Sequence, residues 1–253
     1  MDVGKFTLVV VLLVLLIVKG MSSLGYHWQW YRVPRYIFSR THAGFIAGPL
    51  LQGLMVTFRI TAVSMVLAFL FGLAAVLLRL SKSFSAQAVS RAYLELIRNT
   101  PLLIQLFFLY FVISPIVGIN AYASAVLSLS LFEGAYISEI FRSGILGVAK
   151  GQWEAGLSSG LNAWELYRFI ILPQAVRNIL PPLTSQAVSL IKDSALVSTI
   201  AIYDLTMQGQ AIVSETFLVF EIWLTVASIY LIITISLSML ANVMEKRLKR
   251  ASG

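Results

Sequence analysis

The feature that most constrains this chain is its series of long apolar runs, the first full-length one being Pro49 to Leu80. Runs beyond roughly 18 residues mark spanning helices, and in hydrocarbon a backbone satisfies its own hydrogen bonds only as a helix or a closed barrel. Here 58% of the residues are hydrophobic and 12% charged, far from the balance of a soluble domain. The expectation is an all-α, polytopic membrane protein.

The charged residues indicate which way the chain runs. The formal net charge is +8, yet Lys and Arg sit in short clusters beside apolar runs, the pattern of cytoplasmic loops rather than of a nucleic-acid-binding face. Arg79, Lys82, Arg91 and Arg98 surround one loop, and Arg142, Lys150, Arg168 and Arg177 a second. Lys246, Arg247, Lys249 and Arg250 mark the tail, while Arg32, Arg35 and Arg40 dissent on the outer side. Six spans with both termini inside satisfy this bias. The chain has no cysteine, and His27 and His42 are its only imidazoles. Disulfides, thiolate metal sites and cysteine nucleophiles are thereby removed, and zinc or redox chemistry is poorly supplied.

Phe6 to Val18 follows Lys5 and has the length of a short anchor helix or of a signal-peptide core. With no small-x-small cleavage site after it, a retained anchor is expected and a removed signal is the alternative. Tyr26 to Phe38 mixes Trp28, Trp30, Tyr31 and Tyr36 with Arg32 and Arg35, as segments at the lipid headgroup level do. Residues 1–48 are therefore read as an anchor and outer interfacial segment ahead of a transmembrane domain over 49–253.

Several polar groups fall within the spans. Gln52, Thr57, Arg59, Thr61 and Ser64 enter Pro49 to Leu80, where Arg59 either snorkels or faces an internal path. In Tyr93 to Val117, Pro101 frees the carbonyl four residues back and turns Thr100 from helical geometry. That break is either a cavity-lining interruption or a simple kink. Ala121 to Ile145 carries Glu139, paired most simply with Arg142 three residues on. It also carries Glu133 beside Gly134 and Ala135, either an interhelix bond or a group lining a cavity. In the span Leu180 to Thr199, Gln186, Ser189 and Asp193 share one face, with Lys192 about 100° away from Asp193. That face lines a path unless Lys192 and Asp193 lie at the outer interface. Ile200 to Glu215 is expected as an outer cap and Phe217 to Val243 as the last span.

One partly polar stretch stands apart, Gly151 to Pro173, GQWEAGLSSGLNAWELYRFIILP. A short helix over Gln152 to Ser159, a left-handed Gly160 and a capping box from Asn162 to Glu165 make it a bent helix pair. Pro173 is expected to break the chain before the next apolar run. Its GLSSG matches the G-x-S-x-G nucleophile elbow, which needs a preceding strand and a later histidine that this chain lacks. No G-x-x-x-x-G-K-[ST] occurs, so a Walker A ATP site is absent from the sequence.

Glu154-Ala155-Gly156, then Gly160, then Ile170-x-Leu172-Pro173 resembles the EAA loop of bacterial ABC importer permeases, where coupling helices dock on the ATP-binding subunit. It departs from that pattern at Gly156, where the family usually has alanine, a change that loosens a helix by about 1 kcal/mol. GLMVTFRIT from Gly53, RNTPLLIQLFF from Arg98, AYISEIFRSGI from Ala135, GQWEAG from Gly151, LPQAVRNILPP from Leu172 and KDSALVS from Lys192 are similar to polar amino-acid uptake permeases. The resemblance runs from Gly53 to the tail. It implies a five-helix permease core plus one extra N-terminal helix, in a bacterial inner membrane. Two permease copies, or two homologous permeases, would enclose a path working by alternating access. A periplasmic solute-binding protein would deliver a polar amino acid, and separate cytoplasmic subunits would bind ATP and Mg, leaving no cofactor and no catalytic residue in this chain.

The resemblance assigns coupling to Glu154, Ala155, Gly156, Gly160, Leu172 and Pro173, in a loop about 146–173. The substrate path falls to Thr100, Leu103, Glu133, Gln186 and Asp193. SLFEGAYISEI around Glu133 looks closest to glutamate/aspartate permeases, and the neutral Gln186 equally suits glutamine. A non-transporting scaffold subunit would need neither the polar helix face nor the docking bend. An ion-coupled secondary transporter should show two related halves, and no internal repeat is visible.

Overall fold

The computed structural model describes residues 4, 7–8, 11–12, 19, 25–41 and 44–250. The expected anchor over Phe6 to Val18 lies for the most part outside the described residues. The main helices are α1 (Pro49–Leu80), α2 (Phe84–Arg98), α3 (Leu102–Val117, with a π-helical middle at Phe108–Ile113) and α4 (Ala121–Leu146). Then come α5 (Lys150–Ser158), α6 (Ala163–Glu165), α7 (Leu172–Asp193), α8 (Leu205–Thr216) and α9 (Val219–Arg250). By length and composition, α1, α4 and the Val219–Val243 part of α9 each suffice to cross a membrane, and α2 with α3 meets the same criterion only as a pair bent by 105°.

The centre of the fold is the seam between α1 and α4. Lipid tails are as apolar as leucine, so helices in a membrane associate through close packing of small residues and through interhelical hydrogen bonds. Thr57, Thr61, Ser64, Ala68, Gly72 and Ala75 form one buried stripe along α1. It meets Ser124, Ser128, Gly134, Ala135 and Ser138 among the buried residues of α4. A Cβ on Gly72 would stand 2.7 Å from Ile137 Cγ2 and 3.0 Å from the Gly134 carbonyl oxygen. Ser130 Oγ donates across the seam to the Ser64 carbonyl at 3.3 Å. Arg59 is exposed, off that stripe.

Of the two readings at Pro101, the structure takes the interruption and not the simple kink: α2 starts at Phe84 and meets α3 at 105°, because Pro101 takes an extended ψ of 138° and starts a new helix as its N-cap. Two other sequence expectations change. Pro173 does not break the chain. The π turn Leu166–Ile171 joins α6 to α7 without interruption, and Pro173 follows it directly, so the wider π turn accommodates the proline inside a continuous helix. The span expected over Leu180 to Thr199 accordingly begins earlier, at Leu172, and passes at Ser194 into a 3-10 segment ending at Ile200. Pro181 and Pro182 lie inside its helix.

Ahead of α1 lies an unforeseen two-stranded hairpin, β1 (Phe38–Thr41) against β2 (Gly44–Ala47), with Phe38 opposite Ala47. Gly48 closes it, donating its N–H to the Ile37 carbonyl at 2.8 Å. A Cβ on Gly48 would lie 2.5 Å from the Tyr36 carbonyl oxygen. Asp204 caps α8 by accepting the Met207 N–H at 2.8 Å, and Leu205 N–H donates to Thr57 Oγ1 of α1 at 3.2 Å. Burial pushes the Asp204 carboxyl up to about 6, against the opposing hydrogen bonds from Met207, Thr206 and Tyr230.

Candidate functional site

The polar hairpin of α5 and α6 is built by local rules. Gly160 has φ +81°, and around it Gly160 N–H donates to Leu157 O at 3.0 Å and Leu161 N–H to Gly156 O at 3.3 Å. This pair of bonds is the Schellman closure of a helix end. Asn162 then accepts the Glu165 N–H at 3.0 Å while Glu165 accepts the Asn162 N–H at 2.9 Å, the reciprocal capping box. Gly156 is buried against Leu166 and Ile170, and a Cβ there would come within 2.9 Å of Ile170 Cδ1. The glycine that departs from the usual alanine therefore lets the two arms close. Trp153 crosses Tyr167 edge-on at 5.4 Å and donates Nε1–H to the Val148 carbonyl at 3.3 Å. Glu154, Ala155, Leu157, Trp164, Phe169, Leu172 and Pro173 are all exposed. The arms thus pack on each other and present a mixed apolar and charged face outward, with Lys150, Glu154 and Arg168 exposed.

At the bend between α2 and α3, the carbonyl freed by Pro101 belongs to Ile97. Gln105 Nε2 donates to that oxygen at 2.7 Å and to the Thr100 carbonyl at 2.8 Å. Thr100 turns its own Oγ1–H back to the Leu96 carbonyl at 2.8 Å. An amide one turn after the proline is the sequence signal for Gln105. Leu96, Ile97, Thr100, Ile104, Gln105 and Phe108 line most of a cavity of about 410 Å³ here. Leu103 is half-buried on the same helix.

The second polar centre lies between α4 and α7. Glu133 is fully buried and accepts Gln186 Nε2–H at 2.5 Å on one carboxyl oxygen. Its other oxygen has no hydrogen-bond partner among the described residues, and Asp193 lies within electrostatic range of Glu133. Glu133, Gln186 and Asp193 thus come together. Thr100 and Leu103 belong instead to the bend, whose cavity reaches α4 at Leu131. Lys192 is exposed. Glu139, nearer the basic end of α4, keeps the expected pair with Arg142, whose Nη2 is 3.0 Å away. It also binds Arg79 of α1, with Arg98 of α2 at 3.8 Å.

Glu221 at the start of α9 was missed. It is fully buried and accepts Tyr26 Oη–H at 2.5 Å and the Gln29 backbone N–H at 2.7 Å. An acid in the first turn of a helix, where the macrodipole favours it, was the signal. Tyr26, Trp28 and Phe220 cluster around this clasp, with Trp28 and Trp30 stacked at 5.8 Å. Partial burial and the neighbouring carboxylate push the Tyr26 phenol up to about 12, so it remains a donor at neutral pH. Glu221→Ala should release residues 25–33 from α9, since hydrogen bonds to a charged group contribute about 1.5–3 kcal/mol. Limited proteolysis should then cut that segment faster while α9 stays inserted. Digestion indistinguishable from the parent would show that the clasp holds nothing.

The family model for the inner membrane component of binding-protein-dependent transport systems matches residues 65–250. The glutamine transport system permease protein of Escherichia coli is 38% identical over 203 residues, covering 79% of this chain and 93% of that protein. The L-cystine transport system permease protein of Bacillus subtilis is 38% identical over 205 residues, covering 80% and 88%. Among solved structures, an amino acid ABC transporter crystallised with histidines superposes with a TM-score of 0.75 at 36% identity, covering 79% of this chain and 94% of that one. An inward-facing methionine ABC transporter superposes with a TM-score of 0.69 at 20% identity, a likeness of fold.

Proposed function

This chain belongs to the inner membrane components of binding-protein-dependent transport systems, and from that membership we propose that it is the permease subunit of an ATP-driven importer of glutamine or a closely similar polar amino acid. The observation that carries the proposal is the position of the α5–α6 hairpin. It joins α4 directly to α7, the two helices whose seam holds Glu133 and Gln186. A hairpin made rigid by its Schellman closure and capping box passes a push on its exposed face to both helices. The seam is then the place where the path opens to one side or the other.

In this proposal Glu154, Ala155, Gly156, Gly160, Leu172 and Pro173 couple the chain to a cytoplasmic ATP-binding subunit, which holds the ATP and Mg. The hairpin and the basic tail lie inside, and a periplasmic solute-binding protein meets the outer surface. A second permease, identical or homologous, completes the path along Thr100, Leu103, Glu133, Gln186 and Asp193. The acidic pair around Gln186 favours glutamine over glutamate or aspartate. The amino acid's ammonium group complements two carboxyl groups, whereas a further side-chain carboxylate crowds like charge into a membrane interior.

The test is uptake into proteoliposomes that hold the permease and its ATP-binding partner, supplied with the solute-binding protein. Labelled glutamine should accumulate only with ATP inside, and glutamate should compete weakly. Accumulation driven by an ion gradient without ATP, or no accumulation of any amino acid, would refute the proposal.

A further inference from the structure

The helix α2 carries three different faces. Ser90 and Leu94 are buried against the protein. Arg91, Glu95 and Arg98 recur at i, i+4 and i+7 on an exposed, charged face. Val89 and Leu96 are 61% and 68% exposed, and with Ala92 they lie about 100–160° round the helix from Arg91. Of the exposed large apolar side chains of α2, only Phe84, at its first position, falls on the charged side. Bare apolar surface is disfavoured in water, and three charges are costly in hydrocarbon. A helix that presents both outward suits the boundary between the two.

The same helix runs across its neighbours rather than alongside them. It has 15 residues, about 22 Å at the usual rise, yet its polar contacts stay near one level of α1. Gln87 Nε2 donates to the Ser81 carbonyl and Ser90 Oγ to the Ala75 carbonyl, both at 2.8 Å. At the far end, Arg98 Nη1 is 3.8 Å from the Glu139 oxygen that Arg79 binds. Ala75 to Ser81 is only about 9 Å of α1. Tyr93 reaches deeper, its Oη donating to the Leu131 carbonyl of α4 at 2.6 Å. The 105° turn into α3 agrees with this course. By itself α3 is about 24 Å long, about 6 Å short of a hydrocarbon core of about 30 Å, and a boundary helix buries its apolar face by about 5–10 Å.

We propose that α2 lies flat in the boundary of the inner leaflet, with Val89, Ala92 and Leu96 against acyl chains and Arg91 and Glu95 at the water, so that α3 alone makes the crossing. Lipid is the occupant because the apolar strip continues the exposed sides of the two helices it joins. Val89 shares a groove wall with Leu78 of α1, and Leu96 shares a cavity wall with Ile104 and Phe108 of α3, all of them exposed. The placement bears on the bend as well. Gln105 ties the end of α2 to α3 through the Ile97 and Thr100 carbonyls, so the depth of α2 sets the height of Thr100. Only the choice of leaflet rests on the inward orientation proposed above.

The chain has no cysteine, so single cysteines can be placed on α2 and spin-labelled in the intact importer, assembled with cysteine-free partners in liposomes. Depth is read from the balance of relaxation by oxygen and by a water-soluble nickel chelate. Val89→Cys, Ala92→Cys and Leu96→Cys should report one common depth, favouring oxygen, while Arg91→Cys and Glu95→Cys should favour the nickel chelate. Were α2 to cross the bilayer, the labels at Val89 and Leu96 would differ in depth by about 10 Å, and that result overturns the proposal. So do labels at Val89 and Leu96 that are immobilised and shielded from both reagents, which marks a protein partner on this face, or labels open to nickel at every position, which marks a helix in water. Glu95→Cys should react with a membrane-impermeant maleimide in inverted vesicles and not in right-side-out ones. The opposite labelling overturns the inner leaflet together with the orientation in the transport proposal. A failed depth pattern with ATP-driven glutamine uptake intact removes the boundary helix alone, and the expected pattern without uptake counts against the transport proposal alone.

Discussion

Gly160→Val is expected to lower ATP-driven uptake by about tenfold or more while the permease still inserts and assembles. The residue has φ +81°, a region that costs an L residue roughly 1–2 kcal/mol and a β-branched one more. No atom lies within 4 Å of a Cβ built there, so the penalty is conformational rather than steric. The chain can relieve it only by unwinding the end of α5, which gives up the bonds from Gly160 to Leu157 and from Leu161 to Gly156. Glu154 and Leu157 would then shift relative to Trp164, and the docking face would lose its shape. The α1–α4 seam is remote in structure from this turn, so thermal unfolding of the membrane part should not move. Gly160→Asn, which tolerates the left-handed region, should recover much of the uptake. Parental transport by the valine variant would remove the hairpin from the coupling pathway.

Gln186→Leu should be the most damaging single change in the membrane interior. Glu133 is fully buried and would lose the donor that now sits 2.5 Å from its carboxyl. Leaving a buried polar group without its hydrogen-bond partner costs about 1–3 kcal/mol. Thermal unfolding in detergent should fall accordingly, and uptake with it. Adding Glu133→Leu should restore most of the stability, because replacing both partners with apolar groups is nearly neutral. It should not restore glutamine uptake if the pair contacts the amino acid. A double variant that is stable and transports normally would make Glu133 and Gln186 an interhelix bond and nothing more.

Those two experiments address different kinds of knowledge. The turn at Gly160 and the capping box from Asn162 to Glu165 could be read directly from residue order, since every atom involved lies within a few residues. The Glu139 to Arg142 pair was legible for the same reason. Arg79 and Arg98 were not, because they reach Glu139 from two other helices. Gln105 and Glu221 carried weak local signals, an amide after a proline and an acid at a helix start. Neither signal named its partner across the fold.

By itself, the sequence determined that the chain is a helical membrane protein with a capped polar hairpin and a helix disturbed at Pro101. These properties follow from apolar length, capping chemistry and the missing proline N–H, all local. Only the tertiary structure decided that Pro173 is absorbed by a π turn, that α2 and α3 meet at 105° and that Glu133 meets Gln186 rather than another partner. The reason is physical: inside a bilayer hydrophobicity no longer ranks one helix face above another. The small residues of α1 and α4 set how closely the helices approach, and that approach chooses which buried polar groups touch.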